Sequence, residues 1–150
     1  MQAWRIVKEK HAATAFNAEG ARLYGGRWNS AGISLIYTSG TKALAAHESL
    51  VHLNPPVIFK YLVLPIEFDN TLVETIPPAA LPADWTDEPP PPSTKEIGDT
   101  WVKEARSTVL EIPSVIIPGE ANYLLNPAHP DFKKIVIGNP EPFSFDPRLF

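Results

Sequence analysis

The spacing of apolar positions changes character several times along this chain, and each change predicts an element. Residues 4–7 (Trp-Arg-Ile-Val) and 34–39 (Ser-Leu-Ile-Tyr-Thr-Ser) are short, rich in β-branched and aromatic side chains, and predict strands. Between 41 and 53 apolar residues return every three or four positions. Ser39 or Thr41 serves as the N-cap and Asn54-Pro55-Pro56 as the stop, which predicts an amphipathic helix. Its apolar face is built from Ala43, Leu44, Leu50, Val51 and Leu53. Residues 59–68 predict a strand interrupted or bent at Pro65, and 94–106 a second helix. Residues 108–117 predict a strand with Pro113 marking a bulge or an edge, and 135–138 a last short piece. The segment 10–23 has no clear period. Strands outnumber helices, so the predicted class is α+β with a mostly antiparallel sheet or split sheets.

Proline refines this picture. Of 17 prolines none precedes Pro55, so regular structure can run unbroken through the first third of the chain. Residues 77–92 read Pro-Pro-Ala-Ala-Leu-Pro-Ala-Asp-Trp-Thr-Asp-Glu-Pro-Pro-Pro-Pro. That run predicts an extended surface connection of polyproline II character, a spacer inside one domain more than a dock for an aromatic groove. A length of 150 residues suits one domain, residues 1–150, with a sizeable core. No apolar run approaches the roughly 20 residues of a membrane span, and the first residues lack a basic segment followed by an apolar one. With no cysteine there are no disulfides and no thiolate metal sites. The expectation is a soluble, cytoplasmic protein without a membrane partner.

The net charge of −4 argues against direct nucleic-acid binding, yet it is unevenly spread. Arg5, Lys8, Lys10, Arg22, Arg27, Lys42 and Lys60 face only Glu9, Glu19 and Glu48 in the first sixty residues. Either a small anion is drawn to that part, or the basic and acidic parts of the chain pair with each other.

The candidate chemistry lies in the same stretch. Gly25-Gly26-Arg27-Trp28-Asn29-Ser30 combines paired glycines, which let a backbone turn tightly and approach a ligand, with a guanidinium that can grip a phosphate through two parallel hydrogen bonds. A plain turn with Arg27 in a surface ion pair explains the residues equally well. Tyr37 follows on a predicted strand. Glu48 falls at the margin of the helix's apolar face, so it either pairs with an internal arginine or points into a cleft. His47 lies near the middle of that face and predicts a core histidine. His11, His52 and His129 complete no metal-ligand pattern, so no metal site is expected. Ser114 sits within an apolar strand as a cap for a backbone group at Pro113, with no Gly-x-Ser-x-Gly elbow around it. Asn122 and Asn126 predict turn-fixing hydrogen bonds to nearby backbone.

Taken in order, Trp4-Arg5-Ile6, Gly26-Arg27-Trp28-Asn29 with Gly32, Ile36-Tyr37, residues 45–48, Pro113-Ser114 and Asn122-Tyr123-Leu124-Leu125-Asn126-Pro127 with His129 resemble one family. This is the RES-domain toxins of bacterial RES–Xre toxin–antitoxin modules, named for an arginine, a glutamate and a serine, matched here by Arg27, Glu48 and Ser114. The resemblance implies a fold similar to ADP-ribosyltransferases. It also implies an activity that consumes NAD as substrate, with no further cofactor, through hydrolysis or phosphorolysis of the nicotinamide–ribose bond or transfer of ADP-ribose to a protein. Arg27 would hold the pyrophosphate with Arg5 in support, Tyr37 would stack on nicotinamide, and Glu48 would stabilise the developing ribose cation. Ser114 would be a polar contact and not a nucleophile, with Asn122 beside it on the substrate. An Xre-like helix-turn-helix antitoxin would block the site, around a toxin homodimer in a larger assembly. A non-enzymatic peptide-binding module and, more distantly, a ribonuclease are the other classes open to the sequence.

Overall fold

The computed structural model describes residues 1–52 and 60–149. Its elements are β1 (Gln2–Lys8), α1 (Glu19–Tyr24), β2 (Ile36–Ser39), α2 (Lys42–Leu50), β3 (Tyr61–Glu67) and β4 (Val73–Thr75). They continue with α3 (Pro92–Glu104), β5 (Val109–Pro113), β6 (Ala121–Leu125), β7 (Val136–Ile137) and β8 (Glu141–Phe143), with short 3-10 turns between several of them. The eight strands form one sheet in the order β4-β5-β6-β2-β1-β3-β7, with β8 also on β3. Among the described residues only the β4–β5 pair is parallel. The α+β class and the mostly antiparallel sheet are as the sequence pattern predicts.

β1 and β3 pair along their whole lengths, from Gln2↔Glu67 to Lys8↔Tyr61. Pro65 does not interrupt β3. It falls between the two short ladders on the strand's other side, where β8 covers residues 61–63 and β7 covers 66–67, and a missing N–H is tolerated there. β1 meets β2 at a single register position, Trp4↔Ser39, whereas β2 pairs β6 from Ile36↔Leu125 to Ser39↔Asn122.

Because side chains alternate along a strand, these registers sort residues onto two faces. One face carries Ala3, Ile36, Ile66, Val109, Tyr123 and Leu125 in a core closed by Phe68, Leu72 and Ile135. The other carries Leu110, Ile112 and Leu124, packed under Trp28, Leu35 and Trp101 of α3. Trp101, Leu110 and Leu124 are fully buried, and each such side chain contributes roughly 1.5–3 kcal/mol. α3 begins with Pro92 at its first turn, where the missing N–H is harmless, and ends with Ala105 in the left-handed region.

Several boundaries differ from the pattern-based expectations. α2 is shorter than 41–53; Thr41 caps it by accepting from the Leu44 N–H at 3.0 Å, and Leu53 and Asn54-Pro55-Pro56 lie outside the described residues, as does Phe59. The buried face of α2 is Leu44, Ala45 and Ala46, while Ala43 and Val51 are exposed. His47 is exposed too, its Nδ1 2.8 Å from the Ala43 carbonyl, so it is not a core histidine. β5 stops at Pro113, four residues early, because Ser114 turns the chain. The ambiguous segment 10–23 resolves into a 3-10 turn (Glu9–Thr14) and α1. No helix among the described residues is long and apolar enough to cross a membrane.

Candidate active site

The glycine loop is built around a buried asparagine. Asn29, fully buried, donates through Nδ2 to the carbonyls of Ala21 at 2.8 Å and Ile33 at 3.0 Å, and its Oδ1 accepts from the Tyr37 hydroxyl at 2.6 Å. The same hydroxyl accepts from the Trp28 N–H at 3.1 Å. Gly25 takes φ 72°, in the region that favours glycine, and a Cβ on Gly26 would stand 2.5 Å from the Tyr37 oxygen. The paired glycines therefore bring the loop's backbone against Tyr37. Burial pushes the Tyr37 hydroxyl well above its ordinary range; the Trp28 N–H opposes this, Asp99 adds to it, and Arg27 opposes it.

α3 grips the loop from outside. Thr94 Oγ1 donates to the Arg27 carbonyl at 2.7 Å, and Asp99 Oδ1 accepts from the Ser30 N–H at 2.8 Å. At Gly98 a side chain would overlap the Trp28 carbonyl. Residues 94 and 98 are one helical turn apart, so one face of α3 holds the loop along its length.

Arg27 turns toward the proline-rich segment. Its Nη1 donates to the carbonyls of Trp85 at 3.1 Å and Asp87 at 2.7 Å, and its Nη2 to Glu88 Oε2 at 2.7 Å. The guanidinium side chain is 15% exposed and that of Glu88 is 74% exposed. The segment predicted as a surface spacer is thus a wall of this site. It carries a 3-10 turn (Pro78–Ala80), packs Leu81 and Trp85 against the core under α3, and presents carbonyls to Arg27.

Glu48 pairs with no arginine among the described residues. Its Oε1 accepts from Asn122 Nδ2 at 2.7 Å and from Ser114 Oγ at 3.1 Å. The Ser114 oxygen in turn accepts from the N–H groups of Ile116 and Ile117, each at 3.1 Å. A hydroxyl has one proton and two lone pairs, so Ser114 is saturated and its proton is committed to Glu48. Asn122 is not a turn residue: it lies in β6 opposite Ser39, two positions from the Tyr37↔Leu124 pair. Tyr37 and Asn122 are therefore diagonal neighbours on one face of the sheet, about 7–8 Å apart by the geometry of such pairs. The structure brings Glu48, Ser114 and Asn122 into contact, sets Tyr37 beside them on that face, and ties Tyr37 to the loop that carries Arg27. Asn126 does fix a turn, accepting from the Ala128 N–H at 3.1 Å.

Arg5 is placed differently. Trp4 and Ser39 are paired, so Trp4 shares a face with Tyr37, and Arg5 projects from the opposite one. Its Nη1 donates to the Tyr37 carbonyl at 2.8 Å and its Nε to the Ala15 carbonyl at 2.9 Å. The side chain bridges β1 and β2 where their ladder is down to one pair. Burial lowers its guanidinium to about 10. Sequence reasoning quoted Asn29 within the loop motif without giving it a role, and missed Glu88, Thr94 and Asp99. Trp85 and Leu81 among the prolines were the available signal that this segment packs inward, whereas nothing local marks Thr94 or Asp99 on a solvent-flanked helix.

The α+β fold with its one curled sheet is also what known relatives share. The RES domain model matches residues 2–146, and the chain belongs to the RES domain family. It is 35% identical to a protein of Yersinia enterocolitica named Toxin Res, over 99% of both chains. It is 37% identical to the Prs ADP-ribosylating toxin of a Sphingobium species, over 97% of this chain and 94% of that one. Among solved structures, one chain of the MbcT–MbcA toxin–antitoxin complex of M. tuberculosis superposes with a TM-score of 0.70 at 16% identity. That match covers 95% of this chain and 84% of the other, and shows a shared fold.

Proposed function

We propose that this protein is the toxin of a toxin–antitoxin module and an enzyme that cleaves the nicotinamide–ribose bond of NAD, by hydrolysis or phosphorolysis, so that cellular NAD falls and growth stops. The observation that carries the reading is the fixed carboxylate: among the described residues both hydrogen bonds to Glu48 end on Oε1, which leaves Oε2 for a substrate.

Nicotinamide departs from its pyridinium as a neutral base, so no general acid is needed. What the site must supply is a held pyrophosphate, a set ribose geometry and a negative charge near the developing oxocarbenium ion. Glu48, unable to rotate because Ser114 and Asn122 grip one oxygen, presents that charge without reorganisation. The half-buried ring of Tyr37 offers a face to the cationic nicotinamide. Arg27 holds the pyrophosphate, in the fork geometry that suits it. Arg5 acts from behind the sheet, fixing the backbone of Tyr37. In the cell the protein is cytoplasmic, and an antitoxin with an Xre-like helix-turn-helix domain covers the site of a homodimeric toxin.

The second reading, transfer of ADP-ribose to a protein, is favoured by the name of the Sphingobium relative and uses the same residues. One experiment separates the two. The chain is induced without an antitoxin, beside a Glu48→Ala control, and NAD is measured within minutes. A rapid fall with the unmodified chain alone supports NAD cleavage, and free ADP-ribose or its phosphate then identifies the acceptor. Steady NAD with a labelled protein band supports transfer, and steady NAD with normal growth rejects both.

A further inference from the structure

The guanidinium assigned to the pyrophosphate already holds an anion. Arg27 Nη2 donates to the Glu88 carboxylate at 2.7 Å, while its Nη1 is fixed by the Trp85 and Asp87 carbonyls. The two ends of this pair are unlike. Arg27 is anchored in a loop that α3, Asn29 and Tyr37 immobilise, and only 15% of its side chain is exposed. The Glu88 side chain is 74% exposed, and its carboxylate makes no other hydrogen bond or ion pair among the described residues. The carbonyl contacts orient the cation without neutralising it, so Glu88 supplies the neutralising charge. An incoming phosphate meets a carboxylate at hydrogen-bond distance from its own site, and the two repel.

We propose that Glu88 is a resident competitor on the Arg27 anion site and a determinant of which ligands enter it. The proposal rests on the reading of Arg27 as the anion-holding residue. A ligand with a single negative charge exchanges one anion for another and gains little. A pyrophosphate, bearing more charge and more acceptor oxygens, displaces Glu88 at net gain, because the mostly exposed Glu88 carboxylate is already largely solvated and loses little on release, while the phosphate forms several charge-assisted bonds to the shielded guanidinium. The residue thus raises, by one factor, the concentration every anion needs to enter, a threshold that weakly bound monoanions and carboxylates meet less readily than diphosphates. A pair with one mostly exposed partner lowers the affinity of an entering anion by about two- to fivefold.

The test measures binding of inorganic pyrophosphate, acetate and NAD to the wild-type protein, Glu88→Gln and Arg27→Ala by calorimetry. Glu88→Ala serves as a second variant that cannot hold Arg27 through an amide oxygen. Expected are a two- to fivefold gain in affinity for pyrophosphate in both Glu88 variants, a gain of similar size for acetate, and weak or absent binding of all three ligands in Arg27→Ala. Unchanged or weaker pyrophosphate binding in both Glu88 variants overturns the proposal and makes Glu88 a residue that merely orients Arg27. Absence of pyrophosphate binding in every protein overturns it as well. A gain for pyrophosphate with no NAD binding anywhere leaves the Glu88 proposal standing and removes the NAD reading instead.

Discussion

Ser114 Oγ donates to Glu48 Oε1 at 3.1 Å while two backbone N–H groups occupy its lone pairs. The serine therefore acts through the glutamate. In the proposed reaction Glu48 is the charge that faces the ribose, so Glu48→Ala should lower turnover on the order of 10²-fold or more with the fold intact. Ser114→Ala removes one of two hydrogen bonds on Oε1, and Asn122 still holds that oxygen, so turnover should fall only about tenfold. Two unmet backbone N–H groups should also lower stability by about 1–3 kcal/mol. Steady-state kinetics and mass spectrometry check this; a Ser114→Ala loss as large as that of Glu48→Ala, or a covalent adduct on Ser114, would sink the assignment.

Arg27 reaches three acceptors at once, from two nitrogens pointing in different directions. A lysine ammonium is a single charge and cannot reproduce that fork. Arg27→Ala should weaken NAD binding roughly 10- to 100-fold, as expected for a charge-assisted phosphate contact, with a smaller fall in turnover at saturation. Arg27→Lys should recover little of the affinity. Calorimetry with NAD decides it, and an unchanged Kd in Arg27→Ala removes the phosphate role.

How much of this was legible in the sequence depends on the range of the interactions involved. The strands at 4–7 and 34–39, the Thr41 cap and the glycine turn rest on neighbours within a few positions, and local patterning marks them. The position of Glu48 at the helix margin was legible too, but its partners were not. Ser114 and Asn122 lie 66 and 74 residues away, and only the pairing of β6 beside β2 delivers them. The α2 face failed for a similar reason: hydrophobicity placed Val51 and His47 inside, whereas β1 and β2 meet the helix on Leu44, Ala45 and Ala46. Proline density made residues 77–92 look like a spacer. Proline reports on backbone extension and says nothing of whether carbonyls face solvent or, as at Trp85 and Asp87, a guanidinium.

The grip of α3 on the glycine loop gives a prediction about stability and affinity together. Gly98→Ala forces a methyl group into the Trp28 carbonyl, and neither backbone can yield freely, so destabilisation of about 1–3 kcal/mol is expected. Because the displaced backbone is next to Arg27, KM for NAD should rise more than kcat falls. Asp99→Ala frees the Ser30 N–H without a clash and should raise KM with a stability loss near about 1 kcal/mol. Thermal unfolding beside steady-state kinetics tests the pair. A Gly98→Ala protein as stable as wild type, with unchanged KM, would show that the loop does not depend on α3.

Tyr37 ties the loop to the sheet through one hydroxyl, and its titration gives the last prediction. Tyr37→Phe strips the partner from Asn29 Oδ1 and from the Trp28 N–H, both deep in the loop, and should cost about 1–3 kcal/mol at neutral pH. The hydroxyl is an acid whose folded pKa lies above its ordinary value of 10, chiefly through burial. The folded protein then keeps a proton that the unfolded chain releases, so the stability contributed by this group is fully present below pH 10 and is lost as pH rises above it. The wild type should therefore lose stability more steeply than Tyr37→Phe above pH 10, and the two curves should converge. Arg5 works in the opposite sense. Its folded value of about 10 lies below the ordinary arginine range, so the unfolded chain holds the extra proton and the arginine's contribution rises with pH above that value. Tyr123, pushed up to about 12 by burial and by the Glu111 carboxylate, adds a loss of its own. Both groups are present in wild type and variant alike, so they cancel in the difference. Urea unfolding of the two proteins from neutral pH to above pH 10 reads that difference directly, and a stability gap that stays constant across the range would mean that Tyr37 ionises as freely in the folded protein as in the unfolded chain.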